Sequence, residues 1–397
     1  MEVLNKIAVD NLRHYLQIPS VHPNVDYNEC VELLQTIGKD LSLPVEVIFV
    51  KPKKPVVIIT WKGQRPELKS ILLNSHMDVV PVFEEEWKYK PFSAEIVDGK
   101  IYARGSQDMK SIGIQYLEAI RRLKLEGHTF KRTIYVCFVP DEEIGGKDGM
   151  NLFVQTEFFK KMKVGASLDE SVATEKNEFR VFYGEKNCWQ FTIHCKGPTG
   201  HGSLLLERTA GEKVTHLLNK AYAYRSAQKK IMSGDPTNIF GNIASINCTK
   251  IRGGVQDNVI PQEIAISFDC RIPSSYSQKD FEEMLIQWCR EAGGDCDIEY
   301  HQKEEPVLDT PIDESNIFWN AFKRAAEKLK IQFDTHICCA TSDSRYLRKV
   351  GVSAFGFSPI NNTPILMHSH NEYIGLDTFL NGIEIYREII SELATAE

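Results

Sequence analysis

The sequence has no long apolar stretch, no excess of positive charge and no paired-cysteine motif, and each absence removes a class of function. Nowhere do about 18 apolar residues follow one another, so no membrane-spanning helix is expected. The opening Met1-Glu2-Val3-Leu4-Asn5-Lys6-Ile7 breaks every short apolar stretch with an acidic or polar residue, and a secretory leader is not expected. Lys and Arg number 47 against 54 Asp and Glu, a net charge of −7. Such a chain carries no electrostatic footprint for nucleic acid, and its short basic runs at 51–54 and 160–163 read as solvated faces. The ten cysteines show neither Cys-x-x-Cys nor zinc-knuckle spacing. That fits the reduced, mostly buried thiols of a soluble cytoplasmic protein better than a disulfide framework. Internal repeats and low-complexity segments are lacking too.

What is present is an ordinary globular composition, 42% hydrophobic and 25% charged over 397 residues. It can bury a sizeable core in two or three domains. Apolar residues recur at helical spacing over 5–18, 27–41 and 109–123. The segments 45–50, 56–61, 71–73, 133–140, 165–168 and 179–183 are apolar runs of strand length. Near-continuous apolar strands between amphipathic helices predict an α/β fold, a sheet with helices on both faces. From about 187 the order changes to strand 189–195, helix 210–225, strands 239–251 and 259–272, helix 279–292 and strand 298–302. This is the β-α-β-β-α-β order of a ferredoxin-like sandwich. After 305 the α/β pattern resumes through helix 317–329, strand 354–357 and helix 379–393. The simplest parse is a catalytic domain at 1–186 and 305–397, interrupted by a second domain at 187–304.

Five polar segments follow apolar runs, where an open α/β sheet delivers side chains to its carboxyl edge. In Asn74-Ser75-His76-Met77-Asp78, His76 and Asp78 share one side of extended backbone. Such an aspartate can fix the tautomer of a metal-ligating histidine, although His-x-Asp often arises as plain structure. Asp108 stands at the mouth of the loop that opens the helix near 109, which is equally the place of a capping aspartate. Asp141-Glu142-Glu143 follows a fully apolar strand and precedes Gly145-Gly146. An acidic run is commonly a solvated loop, yet adjacent glutamates at a strand end can divide labour, one binding a cation and its neighbour holding a proton of water. Asp169-Glu170 closes the run 165–168. His368 and His370 lie in the loop before the last helix, as ordinary loop histidines or as ligands. Each segment is weak alone. Together they form an imidazole and carboxylate set without thiolate, which suits a catalytic Zn2+, Mn2+ or Co2+ pair rather than a closed structural zinc site.

With these segments in view, Ser75-His76-Met77-Asp78-Val79-Val80-Pro81-Val82, Ala103-Arg104-Gly105-Ser106-Gln107-Asp108-Met109-Lys110, Val139-Pro140-Asp141-Glu142-Glu143-Ile144-Gly145-Gly146 and His368-Ser369-His370-Asn371-Glu372 resemble the dinuclear zinc amidohydrolases. That family contains aminoacylases, acetylornithine deacetylase, succinyl-diaminopimelate desuccinylase and carboxypeptidase G. The stretches 74–82, 101–126, 168–170, 253–261 and 351–359 narrow the resemblance to the aminoacylases, and it spans nearly the whole chain. It implies a zinc-exopeptidase-like catalytic domain of mixed sheet, with an inserted ferredoxin-like dimerisation domain.

By the same resemblance, Asp108 would bridge two Zn2+ ions, with His76 and Glu170 completing one site and Glu143 and His368 the other. His368 is preferred to His370 because the family places its ligand four residues before the glutamate found here as Glu372. Asp78 would orient His76, and Glu142 would be the general base. His201, in Gly197-Pro198-Thr199-Gly200-His201-Gly202-Ser203, would reach the active site of the other subunit of a homodimer. Asn258 and Arg345 would hold the carboxylate end of the substrate, although the family's Asp-Asn-Arg reads Asp343-Ser344-Arg345 here. The implied activity is hydrolysis of an N-acyl-L-amino acid. Two alternatives remain: a dipeptidase or carboxypeptidase of the same family, and a metal-binding partner protein that has lost catalysis.

Overall fold

A strand buried at every position can only sit inside a sheet covered on both faces, and Ser70–His76 is buried at all seven. In the computed structural model, which describes residues 2–234 and 243–397, Ile134–Val139 and Val164–Asp169 flank it in parallel. Ser353–Phe357 runs parallel to the second of these. Outside this parallel core the pairing turns antiparallel. Lys54–Trp61 and Val45–Lys51 follow on one side, Phe179–Glu185 on the other, and Phe333–Cys338 ends the eight-stranded order there. The apolar runs predict a sheet covered on both faces and the resemblance its mixed character, whereas the edge strand Phe333–Cys338 is outside the predicted runs.

Alternate residues of these strands feed two different cores, as the two-residue period of a strand requires. Val57, Ile59, Ile71, Leu73, Val136 and Phe138 join the core built by the helices Glu2–Leu16, Asn28–Asp40, Lys110–Leu125, Ile317–Leu329 and Leu376–Thr395. Val56, Ile58, Leu72, Cys137 and Val139 join the other face, under Met150–Phe153, Glu157–Met162 and Ser344–Lys349. Each fully buried side chain of this size contributes about 1.5–3 kcal/mol, so shifting any central strand by one residue would lose several such terms at once.

Gly184–Asp309, joined by His336–Thr341, forms a second compact unit, and the remaining segments form the first. The segment 336–341 is one that the sequence parse leaves in the catalytic half. The second unit has a four-stranded antiparallel sheet in the order Ser245–Gly253, Glu263–Ile272, Asn187–Lys196 and Cys296–Lys303. Strand Asn187–Lys196 turns Trp189, Phe191, Ile193 and Cys195 into a core shared with Leu217, Phe281 and Leu285 of the helices Ala210–Gly234 and Gln278–Glu291. The helix and strand order is ferredoxin-like, as predicted. Of the strand expected at 239–251, residues 239–242 lie outside the described residues. The run 259–272 is two strands instead of one. Val259–Ile260 pairs with Gly200–His201 in a ribbon, and Pro261, which has no N–H to give to a ladder, separates it from Glu263–Ile272. Among the described residues no helix is long and apolar enough to cross a membrane.

Candidate metal centre

Strand Ser70–His76 ends on His76, Ile134–Val139 leads through Pro140 into Asp141-Glu142-Glu143, and Val164–Asp169 leads into Glu170. These strands are parallel neighbours, so their carboxyl ends carry an imidazole and several carboxyl groups to one sheet edge. Asp108 arrives from the loop before helix Lys110–Leu125. It is not that helix's cap, since Met109 holds the cap position and no side chain bonds there. The Asp108–Met109 peptide is cis. His368 arrives from the turn before the last helix, with a φ of 60°.

Two groups of potential ligands result, His76 with Asp108 and Glu170, and Asp108 with Glu143 and His368. Asp108 Oδ1 lies 3.0 Å from His76 Nε2, and its Oδ2 lies 3.0 Å from His368 Nε2. Glu170 Oε2 is 3.4 Å from His76 Nε2, and Glu143 Oε2 is 3.0 Å from His368 Nε2. One carboxylate thus offers a separate oxygen to each group. His370 joins neither; its ring stands edge-on to Phe83 at 6.1 Å between centroids.

Crowded carboxylates call for positive charge, and the imidazoles answer it. Burial alone would push His76 down, but Glu170 and Asp108 outweigh it and hold the ring well above its ordinary value. His368 is raised to about 10 by Asp108 and Glu143. Burial works against the Asp108 charge, yet His368 and His76 hold it well below the usual carboxylate range. Burial pushes Glu142 up, with Glu170 beside it adding to the shift. Burial and then Asp108 raise Glu143. Glu143 Oε1 is buried with no hydrogen-bond partner, which is rare for such an atom and fits an oxygen meant for a cation. Two imidazoles and three carboxylates are also the donor chemistry that Zn2+ accepts at a catalytic site. The residues therefore fit a pair of divalent cations, with Asp108 common to both.

The supporting contacts refine the expectation for Asp78. His76 Nδ1 bonds the backbone carbonyl of Asp78 at 2.8 Å, while the Asp78 carboxylate stays 3.8 Å from that nitrogen. The carboxylate instead accepts the N–H groups of Glu142 at 3.2 Å and Glu143 at 3.0 Å, and meets His22 Nε2 at 2.9 Å. A turn that begins with unpaired N–H groups needs such an acceptor, so Asp78 fixes the acidic turn with its side chain and His76 with its backbone. Asp141 enters the same turn at a φ of 64°. Tyr27 Oη donates to it at 2.7 Å and Lys54 Nζ pairs with it at 2.5 Å. Gly145 and Gly146 leave the turn at positive φ. A Cβ on Gly146 would come within 2.4 Å of Asp343 Oδ1.

Glu372, which the sequence uses only as a spacing mark, anchors the loop of Asp108. It accepts N–H groups from Gln107 at 2.6 Å, Gly105 at 3.2 Å and Asp108 at 3.3 Å, and pairs with Arg104 at 2.6 Å. Glu372, His22, Tyr27 and Lys54 all escape the sequence reading. Their partners lie far away in the chain, and no local period marks them.

Of the remaining candidates, Arg345 is buried in the first unit and donates from Nη2 to the Gly145 carbonyl at 2.7 Å, on the turn that carries Glu142 and Glu143. His201 and Asn258 belong to the second unit and meet on its ribbon, where Gly202 N–H donates to the Asn258 carbonyl at 2.7 Å. Both side chains are exposed. His201 Nδ1 bonds Ser203 Oγ at 2.8 Å, and Asn258 Oδ1 accepts from Gln256 Nε2 at 2.8 Å.

A mixed α/β sheet with a ferredoxin-like insertion, and ligand groups of this kind at the sheet's carboxyl edge, define a class of metal-dependent hydrolases. Residues 72–392 match the family described as Peptidase family M20/M25/M40, and the chain belongs to it. Within that family it is 44% identical to Aminoacylase-1 of Mus musculus over 389 residues, 98% of this chain and 95% of that protein. It is 39% identical to Aminoacylase-1 of Dictyostelium discoideum, over 97% of each. Among solved structures, an M20-family metallo-carboxypeptidase from Sulfolobus solfataricus has a TM-score of 0.76 at 19% identity, covering 98% of this chain and 99% of its own. That likeness concerns the fold.

Proposed function

We propose that this chain hydrolyses the amide bond of N-acyl-L-amino acids, releasing a carboxylate and a free L-amino acid. In this reading His76, Asp108 and Glu170 would hold one Zn2+, and Asp108, Glu143 and His368 would hold the other. The observation that carries it is the single Asp108 carboxylate, one oxygen 3.0 Å from His76 and the other 3.0 Å from His368. The substrate class follows from likeness to aminoacylase-1 along nearly the entire chain.

An amide is a poor electrophile and water a poor nucleophile, so the site must correct both. Divalent cations, when bound, supply Lewis acidity and lower the pKa of water to about 7. Glu142 takes the proton of the attacking water on a carboxylate oxygen and returns it to the departing amine nitrogen. Asp78 keeps Glu142 and Glu143 in register by holding both backbone N–H groups. His201 of the partner subunit donates to the developing oxyanion, and Asn258 and Arg345 hold the carboxylate end of the substrate. The ribbon sets His201 and Asn258 side by side, which supports the subunit that lends His201 lending Asn258 with it. The active form is then a homodimer, and a fully active monomer in sedimentation would exclude the shared histidine. Ten cysteines without Cys-x-x-Cys or zinc-knuckle spacing support a reducing, cytoplasmic location.

The decisive experiment is amino acid release from N-acetyl-Met, N-acetyl-Glu, a long-chain N-acyl-Gln and an unblocked dipeptide. Each is run with and without a chelator, then with zinc restored. Chelator-sensitive release from acylated substrates alone is expected, and cleavage of the dipeptide alone overturns the reading in favour of a peptidase. Glu142→Gln should retain both zinc ions and lose most turnover; wild-type turnover with metal bound would remove Glu142 from the mechanism.

A further inference from the structure

Three cysteines meet at one corner of the second unit. Cys195 and Cys296 stand directly opposite each other in the antiparallel strands Asn187–Lys196 and Cys296–Lys303. The adjacent pair is the bonded one, with Lys196 N–H donating to the Asp295 carbonyl at 3.0 Å. Cys195 and Cys296 therefore occupy a non-hydrogen-bonded pair, where Cα atoms lie about 4.5 Å apart and side chains approach most closely. A disulfide accepts Cα separations of about 4.4–6.8 Å. Cys289, in the last turn of helix Gln278–Glu291, completes the cluster.

The three thiols are not equivalent. Cys195 and Cys289 are buried in the core, whereas Cys296 is half-buried and follows the loop Gly293-Gly294-Asp295. Contact with the Cys195 and Cys289 thiols, and then the nearby Lys213 ammonium, hold the Cys296 thiol below its ordinary value. Lys213 is itself buried and fixed, donating to the Lys196 carbonyl at 2.6 Å and facing Asp295 Oδ2 at 3.5 Å. The same contact with Cys296, together with burial, pushes Cys195 and Cys289 up. A half-buried thiol near a fixed cation, with a second thiol directly across the ladder, is the arrangement of an oxidant-sensitive cysteine.

We propose that Cys296 is an oxidant-reactive thiol and Cys195 its resolving partner, so that a hydroperoxide converts this cross-strand pair into a reversible disulfide. The Cys296 thiolate attacks the terminal peroxide oxygen; the S–O bond forms, the O–O bond breaks, and hydroxide (from hydrogen peroxide) or alkoxide (from an organic hydroperoxide) leaves to be protonated. The sulfur is oxidised by two electrons and the peroxide reduced by two. Cys195 sulfur then attacks Cys296 sulfur, the S–S bond forms, the S–O bond breaks, and the Cys195 proton leaves with the oxygen as water. A dithiol reductant returns both thiols. Cys289 stays a thiol throughout.

The intact protein supplies the test. After exposure to hydrogen peroxide and alkylation of the remaining thiols, trypsin places Cys195, Cys289 and Cys296 on the separate peptides 187–196, 280–290 and 291–303. The expected product links 187–196 to 291–303 through Cys195, with fragmentation distinguishing Cys188, and disappears after dithiothreitol. Cys195→Ser should convert Cys296 to a sulfenic acid that reacts with dimedone, and Cys289→Ser should leave the link intact. Recovery of Cys296 as the alkylated thiol after peroxide, or a link to Cys289 in the wild type, overturns the proposal. Because the wild-type peptide map needs no variant to fold, and reads no turnover, it stands apart from the hydrolase reading.

Discussion

The two ligand groups share Asp108 but are built differently. The His76 group is sealed: its imidazole side chain is 1% exposed, it ends a strand buried throughout, and the Asp78 carbonyl fixes its ring. The His368 group stands at the surface, its imidazole 52% exposed on a left-handed turn residue, with Glu143 supplied by a short acidic turn. A site on strand ends inherits the rigidity of the sheet, whereas one closed by a loop inherits whatever holds the loop. The inner group should therefore bind first and exchange slowly, and the outer one should load and release more readily.

Removing the shared ligand would abolish that contrast, with the largest effect. Asp108→Ala deprives both groups of an oxygen. Zinc stoichiometry measured by mass spectrometry should fall from two to near zero. Turnover should fall by about 1,000-fold or more, since a Lewis acid at such a site supplies several kcal/mol. Retention of either ion would show that the groups do not depend on a common carboxylate.

Substituting the histidines separately would sharpen it. His368→Gly should lose about one zinc equivalent and regain part of its activity when imidazole is added, because solvent reaches the vacated position. His76→Gly opens a space inside the sheet edge that free imidazole cannot enter. It should not be rescued, and its thermal midpoint should fall by several degrees. Equal rescue of both variants would contradict the sealed-versus-open distinction.

The same contrast explains which parts of the site are legible in the amino-acid sequence. His76 and Glu170 of the sealed group, and the acidic turn that supplies Glu142 and Glu143, each stand within a few residues of an apolar run that announces a strand. Asp108 and His368 lie in loops, where position alone leaves a capping aspartate or an ordinary loop histidine equally open, and resemblance to a family is what gives them their ligand roles. The central sheet is legible because strands such as Ile134–Val139 carry an unbroken hydrophobic run. Phe333–Cys338 is not, since it interleaves Asp334, Thr335 and His336 with its apolar residues at the edge of the sheet. The supporting shell is least legible of all. Arg104 and Glu372 are 268 residues apart, and nothing local to either specifies a buried partner.

That shell permits the finest test, because two ion pairs steady the two loops to different depths. Arg104 and Glu372 are 2% and 0% exposed and hold the Asp108 loop, while Lys54 is 21% exposed and holds Asp141 at the head of the acidic turn. Breaking a buried pair leaves an uncompensated charge and costs about 3–5 kcal/mol, whereas water still screens a partly exposed one and reduces the cost. Burial pushes Glu372 up to about 7 even with Arg104 beside it. Without Arg104 the same burial should push it further up, which weakens it as an acceptor for the Gly105, Gln107 and Asp108 N–H groups. Arg104→Met should thus lower the unfolding midpoint strongly and weaken zinc affinity about 10–100-fold, as the loss of an outer partner does. Lys54→Met leaves Tyr27 on Asp141 and should keep both ions, lower stability by only about 1–2 kcal/mol, and reduce kcat more than it raises KM. A larger loss from Lys54→Met than from Arg104→Met would mean that the acidic turn, and not the Asp108 loop, is what the fold must hold still.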